Sequence, residues 1–271
     1  MTAIRTDFSD QDVAPVWSCP PGSELPGGFL AWKRLRVGLR CETWLAWSAS
    51  LWCPAVVKLP RPHQVEHPLA ACSLGREVTA LCGQAHPALP RLYQDGTTAD
   101  IPYIAMEYID GPGLDEELAA SGPLAEPEVA LLGAQLLTGL LALHRRGIAV
   151  VDLTPSAVIL RDQRPVMIDF GSARRIGSSL PGAVGTPGYA APELASGEPI
   201  SAGMDLYSLG RILDEAVAEF THTPLARLIR RLQHPDPARR PYTHEALTTL
   251  AAAIPVDLRP WPAWADPFAA V

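Results

Sequence analysis

Four ionisable residues follow one another along the chain in an order that suits the transfer of a phosphoryl group. Lys58 ends a strand-like apolar run, and Glu77 lies in the helix-like segment that follows it. Asp152 comes just after a long apolar helix pattern, and Asp169 lies in the run IDFG. Phosphoryl transfer needs a cation on the phosphates, a carboxylate that holds Mg²⁺ and a carboxylate that orients the attacking hydroxyl. Each residue alone could be a solvated charge, but their order, spacing and element types together agree with that chemistry.

The elements that must position these residues change in kind along the chain. Residues 30–60 contain three runs rich in β-forming residues, FLAWKRLRV, CETWLAWSA and PAVVKLP, which predict antiparallel strands. Ser73–Cys82 predicts a short helix, and the stretch 89–109 predicts two more strands joined by a turn. Beyond Asp110–Gly113 the apolar spacing becomes helical.

Two segments of the second half carry apolar residues at helical spacing. They are positions 129, 132, 136, 140 and 143, and then Leu206, Leu209, Leu213, Val217 and Phe220. We therefore predict an α+β fold, with a small antiparallel β-sheet lobe that carries one helix and a larger, mainly helical lobe.

The composition excludes several classes of protein. Of 271 residues, 48% are hydrophobic, which is enough for a sizeable core and rules out wholesale disorder. The net charge of −7 argues against general nucleic-acid binding. Five cysteines without a CxxC pair argue against a disulfide framework or a zinc ribbon and favour reduced thiols in the cytoplasm. The apolar stretch Val129–Leu143 is about 15 residues, too short to span a membrane.

Two motifs suggest other functions. The run from His63 to His67 spells HxxEH, an inverted zinc-protease motif, but Pro62 and Pro68 bracket it and prevent a long helix. Exposed loop histidines are therefore expected. Trp44, Trp47 and Trp52 could form a nucleic-acid stacking platform, but the acidic charge and the spacing favour strand packing.

The ordered motifs resemble those of the eukaryotic-like Ser/Thr protein kinases found in bacteria. Ala55-Val56-Val57-Lys58 resembles the strand that carries the phosphate-binding lysine, and Glu77 its partner in helix C. Met106-Glu107-Tyr108-Ile109 resembles the gatekeeper and hinge that meet adenine. Asp152-Leu153-Thr154-Pro155 resembles the catalytic loop, and Asp169-Phe170-Gly171 the metal motif.

The end of the activation segment is a full match to the family, Gly185 to Glu193. Arg240 resembles the arginine that pairs with the glutamate of that segment, here Glu193. Thr186 resembles the residue that touches the catalytic aspartate in Ser/Thr-type kinases. Ser178 and Ser179 are candidate autophosphorylation sites or simply solvated loop serines.

The resemblance implies a kinase domain over residues 28–254. It divides into a small lobe 28–109, a hinge 107–113 and a large lobe 110–254, with an irregular leader 1–27 and a Pro- and Trp-rich tail 255–271. ATP and Mg²⁺ or Mn²⁺ are the implied cofactors. The implied catalytic residues are Asp152, Lys58 and Glu77. The implied nucleotide and metal contacts are Gly38, Val56, Lys58, Met106, Glu107, Ile109, Ile159 and Asp169, of which Asp169 holds the metal.

The sequence departs from the family pattern in its catalytic parts. Only Gly38 remains of the glycine-rich loop, and the H-R-D triplet reads Val150-Val151-Asp152. Thr154 replaces the catalytic-loop lysine, and Ala157 replaces the asparagine that would hold a second Mg²⁺. Loss of one electrostatic stabiliser typically costs about 10²–10³ in rate, so two losses predict an attenuated enzyme.

Three functions remain open at this stage. The first is an attenuated Ser/Thr kinase that transfers the ATP γ-phosphate to protein hydroxyls. The second is a pseudokinase, a nucleotide-binding or scaffolding regulator, and the third is a small-molecule phosphotransferase. Retention of Lys58, Glu77, Asp152 and Asp169 favours at least nucleotide binding, and by a narrow margin we prefer the enzyme to the pseudokinase. The expected partners are ATP and a protein substrate or regulated protein, with a homodimer possible, and neither nucleic acid nor membrane.

Overall fold

A computed structural model describes residues 14–179, 185–218 and 222–258 of the chain. It divides into two compact units. Unit 1 comprises residues 1–84 and 91–108, and unit 2 comprises residues 85–90 and 109–271, within those described ranges.

Unit 1 is an antiparallel sheet of six strands with one α-helix. The strands are β1 (Glu24–Leu25), β2 (Phe29–Val37), β3 (Cys41–Ser48), β4 (Cys53–Pro60), β5 (Leu92–Gly96) and β6 (Tyr103–Glu107), and the helix is α1 (Pro68–Leu81). Their order in the sheet is β1-β2-β3-β4-β6-β5. The predicted runs therefore form β2, β3 and β4.

The alternation along these strands builds the core of unit 1. Ala55, Val57 and Leu59 are buried on β4, and they share one apolar cluster with Phe29 of β2 and Trp44 of β3. Successive side chains of a strand point to opposite faces, so every second residue enters the core. The Trp44 ring is thus a packing residue.

Helix α1 begins five residues before the predicted Ser73. Pro68 occupies its first turn, where the missing N–H costs no hydrogen bond, and the His67 ring accepts from Leu69 N at 3.2 Å. The helix buries Leu74, Glu77 and Leu81 at spacings of three and four residues. The HxxEH segment forms only a short 3₁₀ turn, Pro62–Gln64, before it. The described residues hold no group of three or more His, Cys, Asp or Glu that could bind a metal.

Unit 2 is mainly helical. Its helices are α2 (Leu114–Ser121), α3 (Glu126–His144), α4 (Pro192–Ala195), α5 (Ala202–Ala216), α6 (Pro224–Leu232) and α7 (Thr243–Ala253). Its strands form two small antiparallel pairs, β7 (Ile148–Ala149) with β10 (Arg174–Arg175) and β8 (Val158–Arg161) with β9 (Arg164–Met167). The predicted fold class is confirmed.

Helix α3 is the central helix of unit 2. All five predicted core positions are buried, and the helix packs against α5, α7 and β9. Its length and composition would allow it to cross a membrane, and half of its most apolar window is buried within the protein. It is longer than the apolar stretch counted in the sequence because Glu126–Glu128 form its first turn, with Glu128 Oε2 accepting from Ala125 N at 2.9 Å.

Helix α5 is shorter than its apolar pattern predicts. Leu206, Leu209 and Leu213 are buried, but the helix ends at Ala216. Val217 leaves the helical conformation because it forms a parallel bridge with Leu124, whose N–H donates to Ala216 O at 2.7 Å. Phe220, the last predicted position, lies outside the described residues.

Candidate active site

In unit 1, Lys58 and Glu77 form an ion pair. Lys58 lies on β4, opposite Thr43 of β3 and Ile104 of β6, and Glu77 lies on the buried face of α1. Lys58 Nζ donates to Glu77 Oε1. The Glu77 side chain is fully buried, whereas that of Lys58 is 15% exposed. A buried carboxylate is costly unless a cation compensates it, so the pair fixes the ammonium at the end of β4.

The other predicted nucleotide contacts of unit 1 lie on the same sheet. Val56 pairs with Met106 in the register of β4 and β6, and Ala55 pairs with Glu107. Glu107 Oε2 accepts from Arg91 N at 3.1 Å, and Glu107 N donates to Arg91 O at 2.8 Å. These bonds fix the chain direction at the end of β6.

Gly38 lies in the tight turn between β2 and β3. Its N–H donates to Cys41 O at 2.8 Å. A Cβ at this position would lie 3.1 Å from the same carbonyl, so a larger residue would need the carbonyl to shift by a few tenths of an ångström. The backbones of Gly38 and Cys41 thus approach closely in this turn.

In unit 2, Asp152 lies in the loop that follows β7. Thr186 donates to its Oδ1 twice, from the backbone N–H and from the side-chain hydroxyl, at 2.8 Å each. No hydrogen bond to Oδ2 comes from the residues that the structure describes. The two bonds from Thr186 therefore hold the Asp152 carboxylate in one orientation.

The loop around Asp152 is anchored by Asp205, at the start of α5. The fully buried Asp205 carboxylate accepts from Val150 N and Val151 N at 2.8 Å each, and Oδ2 lies 2.7 Å from His144 Nε2. Val151 has a φ of 72°, which a β-branched residue rarely adopts. The Asp205 contact holds this strained backbone next to Asp152, as is typical of functional loops.

Asp169 follows β9, and its Oδ1 accepts from Gly171 N at 3.2 Å. Ile168 N donates to Ala157 O at 2.9 Å, which ties this segment to the loop that carries Asp152. Ile159, on β8, forms a bridge with Gly113, and Ile109 is buried. The Asp169 carboxylate is the kind of hard oxygen ligand that Mg²⁺ takes, whereas the buried Ala157 methyl supplies no ligand atom.

The activation segment is described on both sides of residues 180–184. Ser178 is half-buried, with its hydroxyl donating to Arg175 O at 2.6 Å and its carbonyl accepting from Ile200 N at 2.9 Å. Ser179 is exposed. An exposed hydroxyl is the more accessible of the two to a kinase.

The end of the activation segment is fixed to α5. Arg211 Nε donates to Gly188 O at 2.8 Å, and Ser208 Oγ donates to Tyr189 O at 2.9 Å. The Tyr189 hydroxyl donates to Glu215, and burial together with this carboxylate raises the pKa of Tyr189 to about 12. The phenol is therefore neutral and a donor at ordinary pH.

Glu193 and Arg240 form a buried ion pair. Arg240 donates to both carboxylate oxygens of Glu193, with the Nη2–Oε2 distance at 2.7 Å. The same guanidinium donates to Gly203 O and His234 O, and it lies over the Tyr207 ring. A two-pronged pair with further hydrogen bonds satisfies both charges. It attaches α4 to α5 and to the segment before α7.

The structure brings the predicted residues together in three separate groups. They are Lys58 with Glu77, Asp152 with Thr186, and Glu193 with Arg240. Sequence reasoning missed two contributors, the anchoring carboxylate of Asp205 and the strained Val151. A signal for Asp205 was present, because an aspartate in the first turn of an apolar helix pattern is unlike the buried residues around it.

A family described as "protein kinase domain" matches residues 56–227 of the chain. The match covers more than half of the chain and contains Lys58, Glu77, Asp152, Asp169 and Glu193. The chain belongs to the protein kinase family. Its two units, a small sheet with one helix and a larger helical unit, are those of the family's two-lobed fold.

Its relatives among curated proteins include bacterial Ser/Thr kinases. A probable serine/threonine-protein kinase PkwA of Thermomonospora curvata is 34% identical over 193 residues, 68% of this chain and 26% of the relative. Serine/threonine-protein kinase PkaA of Streptomyces coelicolor is 37% identical over 152 residues, 52% of this chain and 28% of the relative. PknB of Mycolicibacterium smegmatis is 31% identical over 192 residues, 67% of this chain and 31% of the relative. The chain spans about a third or less of each of these relatives.

Proposed function

We propose that the chain is an ATP-dependent protein Ser/Thr kinase that works with one divalent cation and at a reduced rate. The observation that carries this proposal is the double hydrogen bond from Thr186 to Asp152 Oδ1, which orients the carboxylate as a general base needs. Membership of the protein kinase family supports it. Five free thiols support a reducing compartment, the cytoplasm.

Each residue is assigned a separate role in this reaction. The acceptor's hydroxyl oxygen forms a bond to the γ-phosphorus while the bond from that phosphorus to the β–γ bridging oxygen breaks, and ADP leaves. Asp152 Oδ2 takes the hydroxyl proton. Lys58, fixed by Glu77, holds phosphate oxygens, and Asp169 would hold Mg²⁺, which neutralises charge on those oxygens when bound.

The adenine and phosphate contacts are part of the same proposal. In unit 1, Gly38 covers the phosphates, and Val56, Met106 and Glu107 contact adenine. In unit 2, Ile109 and Ile159 contact adenine. The segment from Thr186 to Glu193, fixed by Arg211 and Arg240, receives the protein acceptor.

A pseudokinase is the second candidate function, because of Ala157. Its backbone is tied to Ile168 and its methyl group is 6% exposed, so the position of the second-metal asparagine is filled by a group that binds no cation. A protein that binds ATP through Lys58 and Asp169 without transferring phosphate would have the same two groups.

Phosphate transfer from γ-labelled ATP separates these functions. The full chain is assayed with Mg²⁺ or Mn²⁺, with a basic protein and the chain itself as acceptors, for the wild type, Asp169→Asn and Asp162→Asn. Asp162 is the matched control, because it is exposed in the turn between β8 and β9 and its φ of 47° suits asparagine. We expect label in the wild type and in Asp162→Asn, and a loss of about 10²-fold or more in Asp169→Asn.

The other outcomes would contradict the proposal. No label in any variant, together with thermal stabilisation of the wild type by ATP, would establish the pseudokinase. Consumption of ATP without label on protein would indicate a small-molecule phosphotransferase. Equal label in Asp169→Asn and the wild type would remove the assigned role of Asp169.

A further inference from the structure

Arg61 is a fully buried arginine just after β4, three residues beyond Lys58. Its guanidinium donates to Ala14 O from Nη2 at 2.6 Å and to Pro15 O from Nε at 3.3 Å. Its Nη1 lies at 3.5 Å from Gly38 O, and its backbone N–H donates to Arg40 O at 2.8 Å. One residue thus contacts both the segment before β1 and the turn between β2 and β3.

Residues 14–17, a part of the predicted leader 1–27 that is here named the leader segment, make a second set of contacts through Trp17. Its backbone N–H donates to Glu42 Oε1 at 2.9 Å, and its indole Nε1 donates to Pro60 O at 2.7 Å. Glu42 is fully buried at the start of β3 and pairs with Arg34 of β2. The leader segment is therefore attached to β2, β3 and β4 at the end of the sheet where the Gly38 turn lies.

The buried guanidinium makes these contacts interdependent. A charged group in the interior is costly unless its N–H groups find acceptors, and a charge-assisted hydrogen bond is stronger than a neutral one. Withdrawal of Ala14 O and Pro15 O would take two carbonyl acceptors from the buried Arg61 guanidinium and favour a shift of this side chain. That shift would disturb the turn through Gly38 and Arg40.

The Gly38 turn needs such support. At the flanking positions where the family has glycines, this chain has Arg36 and Cys41, whose side chains restrict the backbone. A contact from outside the turn can limit its conformations, and Arg61 makes such contacts with Gly38 and Arg40.

We propose that Arg61 is a positioning residue that joins the leader segment to the Gly38 turn, so that docking of the leader segment sets the affinity for the phosphates of ATP. This proposal rests on the proposed function, in which Gly38 covers the phosphates. It adds to that function a role for the segment before β1.

The test measures the affinity of the full chain for MgATP and for adenosine by titration calorimetry. The variants are Arg61→Gln, Arg61→Lys and the matched control Arg231→Gln, which removes an exposed arginine of unit 2 that pairs with Glu245. Adenosine lacks phosphates, so it reports on the adenine contacts alone. Hydrogen–deuterium exchange of the peptide that covers the Gly38 turn, compared with β6, is measured in parallel.

We expect Arg61→Gln to bind MgATP about tenfold more weakly, the equivalent of one hydrogen bond to a charged group, with adenosine affinity unchanged. Arg61→Lys keeps the charge but loses the planar guanidinium, so its affinity for MgATP should lie between those of the wild type and Arg61→Gln. Its hydrogen–deuterium exchange should be faster in the Gly38 turn and unchanged in β6. In the transfer assay, KM for ATP should rise about tenfold in Arg61→Gln with kcat within about twofold. Arg231→Gln should match the wild type.

The proposal is overturned if Arg61→Gln weakens ATP and adenosine equally, or neither. If Arg61→Gln does not fold, the ratio of the two affinities in Arg61→Lys decides in the same way. A wild type that binds neither ligand would refute the proposed function, and this inference with it. A wild type that binds both, with the ratio unchanged in the variants, would refute this inference alone.

Discussion

At the scale of single residues, Thr186 orients the Asp152 carboxylate through two hydrogen bonds. Both of its donors meet the same oxygen, Oδ1, so they fix the plane of the carboxylate. Thr154, at the position of the catalytic-loop lysine, lies with its hydroxyl 3.1 Å from that of Ser156. The Thr154 hydroxyl thus contacts Ser156. The hydrogen bonds that orient Asp152 come from Thr186.

Thr186→Val should lower kcat by about 10- to 100-fold, because it removes a hydrogen bond to a charged group while keeping the shape and the backbone donor. KM for ATP should stay within about twofold, since the hydrogen bonds of Thr186 with described residues go to Asp152, Tyr189 and Ala190, none of which is assigned to nucleotide. Steady-state kinetics on a protein acceptor provide the measurement.

Thr186→Ser is the matched control for this prediction. It retains the hydroxyl and loses one methyl group from an exposed side chain, so activity close to that of the wild type is expected. If Thr186→Val and Thr186→Ser show the same kcat, the hydroxyl contact to Asp152 contributes nothing to catalysis.

At the scale of elements, the spacing of apolar residues predicted the strands and the helix whose bounds depend on neighbouring residues. The spans of β2, β3 and β4 and the buried stripe of α3 follow from alternation and helical spacing, and the structure has them. The end of α5 could not be read in this way, because Val217 is removed from the helix by Leu124, nearly a hundred residues earlier.

Sequence patterns also missed residues whose role depends on distant partners. Arg61, beside a proline, resembles a loop residue in the sequence, but in the structure it is fully buried and bonded to the leader segment. The positive φ of Val151 depends on the carboxylate of Asp205, over fifty residues away. Contacts of long sequence separation carry no periodic signal. For the site, motif order placed Lys58 on a strand, Glu77 on a helix and Asp152 in a loop, and the family resemblance named Glu77 and Thr186 as their partners. It did not predict the anchoring of the Asp152 loop by Asp205.

Asp205→Asn tests whether the hydrogen bonds from Val150 N and Val151 N to Asp205 anchor the catalytic loop to α5, because the substitution keeps the size of the buried side chain. Asn has one carbonyl oxygen, and its amide group would face the N–H of Val150 or Val151, which leaves a buried donor without an acceptor. We expect a loss of about 1–3 kcal/mol in the free energy of unfolding. We also expect kcat to fall when it is measured under conditions in which the variant is fully folded, so that the loss of stability cannot account for the fall. Urea denaturation and kinetics measure the two effects.

Asp214→Asn is the control on the same helix. Asp214 forms a surface pair with Arg211, and such pairs contribute about 0–1 kcal/mol, so both stability and kcat should change little. Should Asp205→Asn behave like Asp214→Asn, the anchoring role of Asp205 in the catalytic loop would be wrong.

At the scale of the whole molecule, the charge balance bears on the choice of acceptor. The chain has 29 acidic against 22 basic residues, a net charge of −7. The first turn of α2 adds Asp115, Glu116 and Glu117. Burial, Glu215 and, least, Asp115 raise the pKa of the Tyr189 phenol, while Arg211 lowers it. Carboxylates therefore lie near the end of the activation segment, where the proposed acceptor binds, in a chain of negative net charge. A negative field attracts cationic proteins and repels anionic ones.

A basic acceptor should therefore be phosphorylated with a higher kcat/KM than the same acceptor with its lysines replaced by glutamates. The advantage should fall by about 3- to 10-fold when the ionic strength rises from about 0.05 M to about 0.3 M, because the Debye length shortens over that range. The fall should lie in KM, since screening acts on encounter and leaves the positioned Asp152 unchanged. Initial rates at varied acceptor concentration and fixed saturating ATP measure this fall.

ATP-dependent thermal stabilisation at both salt concentrations serves as the control that nucleotide binding persists. An advantage that is independent of salt would place the selectivity in specific contacts at the activation segment, and equal rates for both acceptors would mean that the net charge plays no part in selecting them.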